Sequence, residues 1–137
     1  MTQTAPIARH DTPDLHSREA RQRLATMLGR LFDHWQLSST EQAAMLGLSS
    51  NNRSTLARYR RGEPLADSRD LLERAGHLLG IHQSLRILFP KDRDLAYRWM
   101  GTPNRRFEGQ RPVDVIVTRG FEGLWAIRRY LDFERGQ

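Results

Sequence analysis

Apolar residues recur at Leu24, Leu28, Leu31, Phe32 and Trp35, a three-and-four spacing that predicts one long helix ending near Gln36. Thr12-Pro13-Asp14 supplies its start, with Thr12 as N-cap and Pro13 in the first turn. Ser38-Ser39-Thr40-Glu41 reads as a capping box, a hydroxyl followed three residues on by a carboxylate. A short helix over Glu41 to Leu46 follows, with Gly47 as its left-handed stop and Leu48 plugging the core below. The polar run Ser49-Ser50-Asn51-Asn52 is a turn. The next helix starts near Ser54, turns Leu56 and Tyr59 inward, and ends at Gly62, leaving Thr55, Arg58 and Arg61 on the other side.

Beyond a break at Glu63-Pro64-Leu65, Asp67-Ser68 caps a helix whose apolar set is Leu71, Leu72, Ala75, Leu78 and Leu79. Gly80 is expected to end it, with a brief helix from Ile81 to Phe89 stopped by Pro90. Another starts at Asp92, carries Leu95, Trp99 and Met100, and stops at Gly101. Thr102 to Pro112 reads as a loop with an exposed Phe107. Residues 113–118 are rich in β-branched side chains and suit either a strand or a helix. With no partner strand anywhere in the chain, helix is the choice. Gly120 separates it from a last helix over Phe121 to Glu134. The fold class expected is all-α: an N-terminal helix-turn-helix bundle followed by a small helical domain. The boundaries expected are 1–13 as a mobile N-terminal arm, 14–65 as a helix-turn-helix domain, and 66–137 as a second helical domain.

Composition narrows the function. Net charge is +6, but residues 1–65 carry nine arginines against six acids and residues 66–137 thirteen cations against ten, so the total says little about nucleic acid. The local cluster says more. Arg53, Arg58, Arg60 and Arg61 lie between Asn51 and Gly62 with no acid among them, on the second helix of a helix–glycine turn–helix pattern. Cysteine is absent, which excludes disulfides, zinc fingers and thiol nucleophiles. No apolar run approaches the roughly 20 residues of a membrane span, and the first residues lack a signal-peptide core. A soluble cytoplasmic protein is expected. His77 and His82 are five apart, off a common helical face, so no metal site is expected there. No nucleophile elbow or phosphate loop occurs. An enzyme and a bound cofactor are not expected.

The last helix has apolar residues to spare. Leu124, Ile127 and Leu131 form a core stripe, whereas Trp125 and Phe133 fall on a second side with Arg129. Two readings stand: these aromatics meet a partner, or neighbouring elements wrap both faces.

Two stretches carry a family resemblance. One is Ser54-Thr55-Leu56-Ala57-Arg58-Tyr59-Arg60-Arg61-Gly62, followed by Leu79-Gly80-Ile81, Leu85 and Leu88-Phe89-Pro90. The other is Trp99, Thr102-Pro103-Asn104, Gly109, Arg111-Pro112, Gly120, Gly123 and Leu124. In that order and spacing the chain, from about Leu24 onward, resembles the MbcA/ParS/Xre antitoxins, partners of RES-domain toxins. The resemblance implies an Xre-type helix-turn-helix, the DNA-binding domain over 14–65, joined to a helical toxin-binding domain over 66–137. It implies a toxin that destroys NAD, an antitoxin whose last helix and tail block the toxin active site, and repression of its own operon. A homodimer on a palindromic operator would fit. Carried over by position, DNA binding falls on Ser54, Thr55, Arg58, Arg60 and Arg61. The neutralising part falls on the tail, Arg128 to Gln137, and joined to the spare aromatic side of the last helix it gives Trp125, Arg128, Arg129, Phe133, Arg135 and Gln137 as the toxin-binding set. Thr102, Pro103, Asn104 and Gly109 match the family loop and are expected to shape it. Asn51-Asn52-Arg53 departs from the family by lengthening the turn before the recognition helix. The alternative reading is a helix-turn-helix transcriptional regulator whose C-terminal half only dimerises or senses a ligand. A DNA-packaging protein of low sequence preference is a third.

Overall fold

The computed structural model describes residues 14–49 and 51–136. Over these residues the chain is all-α. The helices are α1 (Arg18–His34), α2 (Ser39–Met45), α3 (Arg53–Arg60), α4 (Arg69–Leu88), α5 (Arg93–Arg98), α6 (Pro112–Arg119) and α7 (Phe121–Arg135). Short 3₁₀ turns occupy Trp99–Gly101 and Arg105–Phe107.

Local chemistry sets the helix starts. Ser17 Oγ accepts from the Ala20 N–H at 3.1 Å, so α1 begins after Ser17, in place of the start read at Thr12. Thr12 and Pro13, like the whole arm expected over 1–13, lie outside the described residues. The capping box on α2 is complete: Ser38 Oγ accepts from the Glu41 N–H and Glu41 Oε1 accepts from the Ser38 N–H. Ser68 caps α4 and Asp92 caps α5. Residues 112–119, open between strand and helix in the sequence, are helical, with Pro112 in the first turn where its missing N–H costs nothing.

The expected break at Gly80 is absent, and α4 runs unbroken for 20 residues. A glycine inside a helix costs only about 1 kcal/mol, and Leu78, Ile81 and Leu85 on either side of it are fully buried. Gly80 has a packing role: the Arg128 guanidinium from α7 lies where a Cβ would stand. Phe107, expected to be exposed, is not. It is half-buried, with its ring 6.4 Å from Trp99 and 5.5 Å from Tyr130.

One core runs through the molecule, with Leu28, Phe32, Met45, Leu65, Leu78, Ile81, Leu85, Met100, Ile116, Leu124, Ile127 and Leu131 at its centre. Helix α4 packs on α1, α5 and α7, while α6 packs on both α7 and α2. The helix-turn-helix is therefore braced from behind by the C-terminal helices.

Candidate functional site

Helices α2 and α3 form the first candidate. Gly47 ends α2 at φ 72°, and the Arg74 side chain from α4 lies directly under it. Helix α3 buries Leu56 and Tyr59, and the Tyr59 hydroxyl accepts from the Ala66 N–H at 3.2 Å, fixing the helix exit. On the opposite face Ser54, Ala57, Arg58 and Arg61 are exposed. Thr55 is half-buried at the edge of that face, where its Oγ1 accepts from Arg58 Nη2 at 3.4 Å. Glu63 approaches Arg58 at 3.8 Å and Arg61 at 4.0 Å. Such long, solvated pairs are worth a few tenths of a kcal/mol, about the low end for exposed ion pairs. A phosphate would displace them.

Arg60 stands apart from the other four residues of the sequence-derived set. Its Nη1 donates to the Gly29 carbonyl and its Nη2 to Asp33, both at 2.7 Å, so it ties α3 to α1. Arg53, exposed at the first turn of α3, belongs with the outward cations instead. The run of four arginines in the sequence does not distinguish these two roles, because the difference depends on α1.

The second candidate is the outer face of α7. Leu124, Ile127 and Leu131 face the core, while Trp125 is 46% exposed and Phe133 59%. Arg129 is exposed between them. Arg128 and Arg135 turn the other way, toward α4. Arg128 covers Gly80, reaches His77 at 3.3 Å and pairs with Asp132, and Arg135 Nη1 donates to the buried Ser84 hydroxyl at 3.3 Å. The six residues assigned to toxin binding thus divide, with Trp125, Arg129 and Phe133 together, Arg128 half-buried against α4, and Arg135 exposed but bonded to α4 through Ser84. Gln137 lies outside the described residues.

The 102–110 loop closes on itself. Asn104 Oδ1 accepts from the Arg106 N–H at 2.8 Å, and the Asn104 carbonyl accepts from both Phe107 and Gly109. Thr102 Oγ1 donates to the Arg98 carbonyl, Pro103 is exposed, and Glu108 and Gly109 both take left-handed backbone. This ring points Arg106 over the Tyr130 ring, 5.0 Å from its centroid. Tyr130 in turn stacks on Trp99. Neither Arg106 nor Tyr130 stands out in the sequence, because a separation of 24 positions links them through no local period.

Two arrays connect the candidates. Arg111 bonds Asp114 with two nitrogens and reaches Glu41 on α2, which drives the Arg111 pKa up and the Asp114 pKa down. The Trp125 ring lies against His77, His77 against Phe121, and Phe121 beneath Arg74, which underlies Gly47. Among the described residues no three His, Asp or Glu side chains gather as a metal site, and no helix is long and apolar enough to cross a membrane.

Residues 14–80 match the antitoxin Xre-like helix-turn-helix domain, and residues 84–136 match the antitoxin Xre/MbcA/ParS C-terminal toxin-binding domain. The chain belongs to the Xre/MbcA/ParS antitoxin family. It is also 34% identical over 107 residues to the uncharacterised protein y4oB of Sinorhizobium fredii, covering 78% of this chain and 80% of that one. The two domain matches of this antitoxin meet inside α4, between residues 80 and 84. The helix that supports the helix-turn-helix is thus continuous with the one on which α7 packs. The outer face of α7 lies wholly within the toxin-binding match.

Proposed function

We propose that this antitoxin neutralises a RES-domain toxin that degrades NAD, and that it represses its own operon as a homodimer through α3. It acts by binding, without catalysis of its own, in the cytoplasm. The toxin docks on the outer face of α7, and the segment after Phe133, Glu134 to Gln137, enters the toxin active site. The domains divide near residue 65, with α4 serving as the support of both. The observation that carries the reading is the exposure of Trp125 and Phe133 on a helix whose core stripe is already complete. Large aromatics beside an arginine, Arg129 here, are what interface centres favour.

DNA contacts fall to Ser54, Thr55, Arg58 and Arg61, with Arg53 at the helix start and Arg60 holding α3 in place. The deciding experiment is co-expression with the protein encoded beside this gene. The full chain is expected to restore growth and NAD level, and a chain lacking Glu134 to Gln137 is expected to fail while still binding. A neighbour that is not toxic, or that does not bind this chain, removes the reading.

A further inference from the structure

We infer that the groove between the Arg105–Phe107 turn and α7 receives an acidic segment of the partner protein, with an apolar side chain seated between Trp125 and Phe133. This rests on the docking reading above and adds the chemistry of the partner and a second wall to the site. The groove measures about 530 Å³ and its lining includes Arg106, Arg119, Glu122, Trp125, Arg129 and Tyr130.

Its charge is unbalanced. Among the described residues Arg106 and Arg129 make no ion pair, and Arg119 reaches only Glu122, at 3.7 Å with both side chains half or more exposed. Three cations thus face one carboxylate. Arg106 is held in place by the Tyr130 ring, 5.0 Å beneath its guanidinium carbon. Tyr130 is itself fixed by Trp99, stacked at 6.2 Å, and by Phe107 edge-on at 5.5 Å. A cation already oriented over an aromatic floor loses little freedom when a carboxylate arrives. A protein segment that covers Trp125 also excludes water from these pairs, which strengthens each of them. Arginines beside aromatic rings also suit single-stranded nucleic acid. The protein partner is favoured because the whole groove lies inside the span matched as toxin-binding, 84–136.

The test uses the full chain and the co-expressed product of the neighbouring gene, with affinity measured by calorimetry across a salt series. Arg106→Glu with Arg129→Glu is expected to weaken binding by roughly a hundredfold or more, with the urea midpoint unchanged. Arg106→Lys with Arg129→Lys is expected to stay within roughly fivefold, and added salt to weaken the parent complex. Parent-like binding by the glutamate pair, while Trp125→Ala with Phe133→Ala abolishes binding, overturns the acidic groove and leaves α7 docking intact. Parent-like binding by both pairs overturns the docking face itself. A mixed-sequence oligonucleotide whose binding is lost in the glutamate pair, with protein binding untouched, assigns the groove to nucleic acid and overturns the inference.

Discussion

Arg111 Nη2 donates to Glu41 Oε2 at 3.0 Å, and the other oxygen of that carboxylate accepts from the Ser38 N–H at 2.9 Å. One glutamate therefore caps the first helix of the helix-turn-helix and anchors the head of α6 in the toxin-binding domain. Glu41 is four-fifths covered at its side chain. Arg111→Ala is expected to lower stability by about 1 kcal/mol. In urea titrations, a double-mutant cycle with Glu41→Gln should return a coupling of about 0.5 kcal/mol or more. Strict additivity would mean the two domains are not joined through this pair.

Arg58 and Arg61 differ from Arg60 in what each is free to do. Arg58→Ala with Arg61→Ala should weaken operator binding and flatten the log K against log salt slope by about 1.8, near 0.9 for each phosphate no longer neutralised. Stability should barely change, because their pairs with Glu63 are long and solvated. Arg60→Ala should instead cost about 1 kcal/mol by freeing α3 from Gly29 and Asp33. An unchanged salt slope in the double variant would remove α3 from the DNA interface.

What could be read from the sequence was local. The Ser38–Glu41 box and the Leu124, Ile127 and Leu131 stripe are fixed by neighbours within a turn or two, and both stand in the structure. The same periodicity set Trp125 and Phe133 on a second side of α7 and left open whether neighbouring elements cover it; the structure leaves both exposed. Misreadings came where a distant residue decides the outcome. Gly80 looked like a stop because its occupant, Arg128, arrives from 48 positions away. Phe107 looked exposed because Trp99 and Tyr130 cover it through tertiary packing. Arg60 and Arg111 were legible as cations, but their partners on α1 and α2 were not.

Acid should destabilise the fold in two separate windows. His77 and His82 both have pKa values pushed below 6.5, in each case chiefly by burial, with Arg128 adding to the first and Arg86 and His34 to the second. Glu73 and Asp132 oppose the shift at His77. The unfolded chain takes up these protons first, so stability rises with pH between the folded and unfolded values. The contribution is complete above the unfolded value of about 6.5 and is lost as pH falls below it. Asp114, lowered by its bonds to Arg111, and Asp67, lowered by its bond to His16, give a second loss below about pH 4. Urea midpoints from pH 8 to 3 should show both steps. His77→Gln with His82→Gln should remove the upper one only.

The contact between α6 and α7 gives the sharpest stability contrast. A Cβ on Gly123 would collide with the Val115 carbonyl and stand 3.0 Å from the Ile116 Cα, all backbone atoms of α6 that have no rotamer to escape into. Gly123→Ala must therefore push the two helices apart. It should cost about 1 to 3 kcal/mol, the range for overpacking. Gly76, in the middle of α4, has nothing within 4 Å of the same position. Gly76→Ala should stabilise by about 0.5 to 1 kcal/mol through the lost freedom of the unfolded chain. Because α6 and α7 carry Arg119 and Trp125, Gly123→Ala should also weaken partner binding, whereas Gly76→Ala should leave it unchanged. Urea melts and calorimetry on the two variants measure both effects, and equal stability of the pair would mean that α6 and α7 do not meet at Gly123.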